Sequence, residues 1–246
     1  MAEFDTVRTA GVGARAAQID EGLRSHMQKV YGTMSVGMLI TFAVAWAVGS
    51  NDALLSIFRD PVTLRPNMLG WIAMFAPLGM IFGFGAAVNR MSAAGARLFF
   101  YAFAAVMGLS MAYIFAAFTG ISIANVFLTT SIAFAGLSLW GYTTKKDISG
   151  WGSFLIMGVI GLIVASIINI FLGSPAIMFA ISIIGLLIFA GLTAYDTQNI
   201  KNTYVAHAHH GDQEWLEKSG IHGALQLYLD FINMFQFLLM FMGSQE

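Results

Sequence analysis

The chain has 246 residues, 58% of them hydrophobic and only 10% charged, with a mean hydropathy of +0.74. A soluble domain carries about 25% charged residues, so the composition excludes a soluble globule and predicts a multi-pass membrane protein. A net charge of −1, with 12 Lys and Arg scattered singly or in pairs, excludes a nucleic-acid partner, which would need a basic stripe. Zero cysteines exclude disulfides, thiolate catalysis and Cys-ligated metal.

Residues 1–26 mix Glu3, Asp5, Arg8, Arg15, Asp20, Glu21 and Arg24 and hold no apolar core of a signal peptide, so they are expected to form a polar tail. Spanning a bilayer takes about 20 mostly apolar residues. Seven stretches reach that length, at 27–48, 68–88, 97–118, 121–142, 151–172, 176–199 and 221–242. The fold expected is therefore an all-α membrane protein, a single seven-helix bundle over 27–242 with a short external C-terminus at 243–246. A transmembrane barrel would show alternating segments of about ten residues, whereas these runs are continuous. Arg8, Arg15, Arg24, Lys29, Arg90, Arg97, Lys145, Lys146, Lys201 and Lys218 fall on one side of this topology. The other side has only Arg59 and Arg65, so the N-terminus is expected in the cytoplasm and the C-terminus outside.

The first loop, 49–67, with Asp52, Asp60, Pro61 and Pro66, is expected to be long, irregular and external. Gly79, Gly83 and Ala87 in the second segment, and Ala104, Gly108, Ala112 and Ala116 in the third, recur every four residues and predict close helix packing. Pro77 is a candidate kink. The two minimal connections, Thr119-Gly120 and Gly173-Ser174-Pro175, predict antiparallel hairpins of segments three with four and five with six. Ser166 and Asn169 share a helical face and are expected to hydrogen-bond between helices. The matched broken helices of inverted-repeat carriers are absent from the sequence.

An enzyme is not expected. Ser138 lacks a plausible histidine base, because His26, His207, His209, His210 and His222 all lie in the tail, in the sixth loop or at a helix start. The sixth-loop histidines lack a regular ligand spacing and read as a solvated, pH-responsive loop rather than a metal site.

Two carboxylates lie inside apolar runs: Asp196 in Gly191-Leu192-Thr193-Ala194-Tyr195-Asp196-Thr197-Gln198, and Asp230 in Leu227-Tyr228-Leu229-Asp230-Phe231-Ile232-Asn233. Each costs roughly 2.5–3.5 kcal/mol to insert. Both fall in the cytoplasmic half, Asp196 about one turn from the face and Asp230 roughly 13 Å in. Gln226 and Asn233 extend a polar stripe around Asp230, while Thr193 and Thr197 accompany Asp196. Two ionised carboxylates about 5 Å apart repel by roughly 3 kcal/mol at an effective dielectric of 20. The pair is expected to share a proton, bind an arginine such as Arg90, or hold a cation. Asp196, Asp230, Gln198, Asn233 and Tyr195 or Tyr228 are too few oxygens for tight calcium binding, which takes about six to eight ligands, and fit a weak, hydrated site.

The stretch from Gly191 to Gln198 followed by Ile200-Lys201, together with Leu227 to Asn233, resembles the signature and last helix of the Bax inhibitor-1 family, also called the transmembrane Bax inhibitor motif family. Lys145-Lys146-Asp147 with Trp151, Ser153 and Phe154, then Ile168-Asn169-Ile170-Phe171, resemble its fourth loop and fifth helix. The resemblance implies seven helices with the last one central, and a pH-sensitive calcium leak controlled by a di-aspartyl unit, matched here by Asp196 and Asp230. It also implies an arginine at the inner end of the second helix as counter-charge to the first aspartate, for which Arg90 is the nearest match. The second helix lacks the acidic residue of some members, and the sixth loop is longer than in the compact bacterial ones. No lysine-rich tail follows segment seven, which favours a bacterial inner membrane over the endoplasmic reticulum.

The function expected is a pH-sensitive cation leak, with calcium as a transported ion, protons as the signal and no cofactor. The alternative is a non-conducting regulator that binds another membrane protein, such as a quality-control protease or a cell-death factor. The sequence leaves the oligomeric state open.

Overall fold

The computed structural model describes residues 2–60, 62–63, 65–208 and 212–243, with the side chains of 2–17 and 89 outside that description. The helices are α1 (Ala2–Gly49), α2 (Asp52–Leu55), α3 (Met68–Ala87), α4 (Ala93–Met111), α5 (Ile114–Ala117), α6 (Gly120–Thr143), α7 (Trp151–Leu172), α8 (Pro175–His207) and α9 (Gln213–Met242), with a 3-10 turn over Val88–Arg90 after α3. Among the described residues, seven helical stretches are long and apolar enough to cross a membrane, the third being α4 continued by α5.

Side-chain caps set many of the boundaries. Asn51, Asn67, Ser92, Thr119, Ser174 and Asp212 each accept a backbone N–H from the first turn of the helix they precede, satisfying donors that a helix start leaves open. At the other end of α7, Gly173 takes a left-handed conformation, φ 60°, which closes the helix and reverses the chain into α8.

In α1, Leu23, Met27, Val30 and Met34 form a buried stripe at three- and four-residue spacing. The helix and its packed face thus begin upstream of the apolar run 27–48. α1 packs along α4, where a Cβ on Gly108 would lie 2.7 Å from the Thr41 carbonyl. The small-residue reading holds there and reverses in α3. Gly79 and Gly83 have open space where a side chain would go, and α3 buries Gly70, Ala73, Pro77 and Phe84 instead. α9 packs against α8, α1, α6 and α4, whereas α7 rests mainly on α8, and α3 on α4.

Three local expectations change. In the first loop, α2 is followed by an antiparallel bridge between Arg59 and Pro66. Asp60 there accepts from the Val62 and Thr63 amides at 3.0 and 2.7 Å, which holds its carboxyl below the ordinary carboxylate range. The third segment breaks at residues 112–113. Gly49 abuts the break, and a Cβ there would sit 2.0 Å from the Ala112 carbonyl oxygen. The sixth connection shrinks to 208–212 because α8 and α9 continue past the apolar runs, which places Lys201 and Lys218 on helices.

Ser166 is exposed, so it does not share the buried position of Asn169. Asn169 instead accepts the Ser174 amide at 3.0 Å and ties the α7–α8 turn.

Candidate functional site: a buried aspartate pair between α8 and α9

The α8–α9 seam is built from side chains that leave almost no solvent access. Thr193, Thr197 and Leu227 are fully buried, and Asp196 and Asp230 retain 7% and 3% exposure. The two carboxyls face each other across the seam within hydrogen-bonding range. Oδ2 of Asp230 is completely buried and finds no hydrogen-bond partner among the described residues. An orphaned carboxyl oxygen costs about 1–3 kcal/mol, more if charged, a cost that a donor or a cation at this position would relieve. A proton shared by the facing oxygens would remove the repulsion of two like charges and still leave Oδ2 of Asp230 to be met by a second donor or a cation.

The remaining residues of the expected site are dispersed by the helices that carry them. Arg90 ends the 3-10 turn beyond α3, is exposed, and makes no ion pair with Asp196 or Asp230. The reason is architectural: α3 packs on α4 and does not lie along α8. Tyr195 lies over Gly152 of α7, where an added Cβ would come 2.5 Å from its hydroxyl. Gln198 is a latch for the α6–α7 connection: its Oε1 accepts from Ile148 N at 2.9 Å and its Nε2 donates to the Lys146 carbonyl at 2.8 Å. Asn233 donates to the Leu229 carbonyl of its own helix at 2.8 Å. Gln226 is half-buried on α9. Of the seven residues expected at the site, Asp196 and Asp230 meet, while Tyr195, Gln198 and Asn233 make their contacts elsewhere.

Hydroxyl groups far apart in sequence knit the neighbouring helices. Tyr31 of α1 and Ser138 of α6 share a hydrogen bond of 2.5 Å, and Ser138 shares another of 2.9 Å with Thr197 of α8. Thr197 donates onward to the Thr193 carbonyl at 2.7 Å. On the opposite side of α9, the Tyr228 hydroxyl pairs with Thr41 Oγ1 at 2.6 Å, and the Tyr228 ring meets Phe100 and Phe103 edge-on. Single hydroxyls within apolar runs are the only sequence trace of these links.

At the basic end, α1, α4, α8 and α9 surround a polar cavity of about 270 Å³ lined by His26, Lys29, Arg97, Tyr204, Gln213 and Glu217, among others. The His26 ring packs against Tyr204 at 4.8 Å between centroids, tilted by 34°. His207 stacks on Trp215 at 4.1 Å, and His222 stacks on Phe84. His209 and His210 lie outside the described residues. Among the described residues, no three His, Asp or Glu side chains cluster as a metal site.

A family model described as "Inhibitor of apoptosis-promoting Bax1" matches residues 23–246. An uncharacterised protein of Caulobacter vibrioides is 44% identical over 93% of this chain and 92% of its own length. The inner membrane protein YbhL of Escherichia coli K12 is 41% identical over 92% of this chain and 94% of its own. Protein RP147 of Rickettsia prowazekii, also uncharacterised, is 39% identical over 99% of both chains.

Proposed function

Because the chain belongs to the Bax inhibitor-1 family, we propose that it is a cation leak of the bacterial inner membrane, passing calcium among other ions, whose conductance answers to the protons held by Asp196 and Asp230. The observation that carries this reading is the orphaned Oδ2 of Asp230, wholly buried at membrane depth beside a second carboxyl. Ionisable groups at such depth are expensive and are retained for ion or proton handling. The inner-membrane location rests on the similarity to E. coli YbhL and on the seven apolar helices. The excess of basic residues on one side orients the N-terminus to the cytoplasm.

The mechanism follows from charge balance. With Arg90 absent from the pair, a proton or a passing cation is left to neutralise it. Two ionised carboxylates about 3 Å apart repel by roughly 5 kcal/mol at an effective dielectric of 20. Each change in proton count therefore alters the force between α8 and α9, the seam on which the seal of this compact arrangement depends. Two carboxylates with no third acidic ligand make a transit position for a hydrated ion rather than a resident calcium site. Because the two groups titrate jointly, the flux profile belongs to the pair.

The test is calcium flux into liposomes containing the purified chain, measured from pH 6 to 8. The wild-type flux is expected to change with pH, and the Asp196→Asn, Asp230→Asn double variant is expected to lose that dependence. Unchanged flux with an unchanged pH profile in the double variant, or no flux from the wild type, sinks the proposal.

A further inference from the structure

α1 and α6 flank a long lateral opening instead of closing on one another. Its floor is α9, through Phe231, Ile232 and Phe235, and its volume is about 930 Å³. The walls are mainly apolar, interrupted by Ser35 and Thr41 of α1 and Ser131 of α6, with Leu39, Phe42 and Trp46 of α1 exposed on one side and Phe127 of α6 on the other. A second cavity of about 560 Å³ continues it toward the basic end, sharing Tyr31 and Phe134 and reaching Arg24, Gln28 and Tyr142. The Tyr31–Ser138 hydrogen bond lies where the two cavities meet.

Depth assigns the occupant. α1 crosses from Gly49, so a hydrocarbon core of about 30 Å at 1.5 Å per residue ends near Lys29. Arg24 then stands about 8 Å farther out, at headgroup level, and the stretch from Tyr31 to Trp46 covers about 22 Å of acyl depth. A second cation stands at the same end: Lys201 Nζ donates to the Tyr142 carbonyl at 2.7 Å and lies 5.4 Å from the Tyr142 ring centroid. A basic mouth at phosphate depth above an apolar trough at chain depth has the polarity of an anionic phospholipid.

We propose that the α1–α6 groove binds one anionic diacyl phospholipid from the leaflet on the basic side, with an acyl chain along Phe42 and Phe127 and the headgroup phosphate at Arg24 and Lys201. The occupied groove completes the wall that α1 and α6 leave open over α9, the helix that carries Asp230. Neither a cofactor nor the proposed leak activity is needed for this site to be filled.

The experiment uses the full chain in phosphatidylcholine vesicles doped with phosphatidylglycerol carrying a photoactivatable group midway along one acyl chain, and a matched phosphatidylcholine probe. Adducts are mapped by peptide mass spectrometry. The expected result is adducts concentrated on Phe42, Ala124 and Phe127, with the phosphatidylglycerol probe favoured several-fold. Arg24→Gln, a change of an exposed side chain, is expected to lower that preference roughly fivefold, the share of one basic residue at an anionic surface. Ala124→Trp, which fills the trough, is expected to cut groove adducts several-fold while leaving those on exposed Phe171 of α7 unchanged. Adducts spread evenly over the exposed faces of α3, α6 and α7, or a headgroup preference untouched by Arg24→Gln, would overturn the proposal. So would protein–protein adducts through Phe42 and Phe127, which would make a second copy the occupant.

Discussion

α7 and α9 invert the rule of soluble proteins. Among the seven spans α7 holds the most apolar window and α9 the least, yet 17% of the α7 window is buried against 56% of the α9 window. In lipid, the helix that faces the solvent must be apolar all round. The helix surrounded by protein can carry Asp230 and Tyr228, because α8 and α1 supply Asp196 and Thr41 as their partners. Polarity within a span thus marks the inside of this bundle, and maximal hydrophobicity marks its rim.

That contrast can be broken most sharply at two aromatic residues. Tyr228→Ala on α9 removes a fully buried ring and its Thr41 hydrogen bond, and is expected to cost about 3–5 kcal/mol. Phe171→Ala on α7, a position 84% exposed, is expected to stay within about 0.5 kcal/mol. Reversible unfolding in mixed micelles checks both, and equal losses would erase the distinction.

A smaller effect separates two glycines. A side chain at Gly141 would collide with the Ala194 carbonyl, 2.3 Å from an added Cβ, whereas Gly161 on α7 faces open space. Gly141→Val is expected to destabilise by about 1–3 kcal/mol, and Gly161→Ala to be neutral or to gain up to about 1 kcal/mol. Thermal denaturation of the two variants side by side decides it.

A loss in the same range as that at Gly141 is expected at Gln198→Leu, about 1–3 kcal/mol, from the Ile148 N–H and the Lys146 carbonyl left without their side-chain partner. Its signature is local: faster hydrogen exchange at the Ile148 amide, with the α9 amides unchanged. Loss of protection throughout α9 would instead make Gln198 part of the aspartate seam.

The spans, the α7–α8 hairpin and the meeting of Asp196 with Asp230 were legible because each rests on a signal within one segment: apolar length, loop length, or a charge where lipid should be. The equally short turn before α6 misleads, because α6 packs on α8 and α9 rather than along α4. What was not legible depends on which neighbour a face meets. Gly79 and Gly108 occupy equivalent patterns, but one points at open space and the other at the Thr41 carbonyl. Arg90 sits at a suitable end of its segment, yet α3 is held away from α8 by its packing on α4. Gln198 finds its partners about fifty residues upstream, and Tyr31 and Ser138 meet across 107 residues. No spacing rule encodes such pairings.

The helices that outrun the bilayer would amplify any motion that begins at the aspartate pair. α8 has 33 residues, about 50 Å of helix for a hydrocarbon core of about 30 Å. Its end at His207 lies roughly 17 Å beyond Asp196 at 1.5 Å per residue. Pivoting α8 by about 10° at the pair would swing that end by roughly 3 Å. A change at the carboxyls too small to see in the seam would thus be legible as displacement at the aqueous tip of the hairpin, where a spin label or a fluorophore can read it.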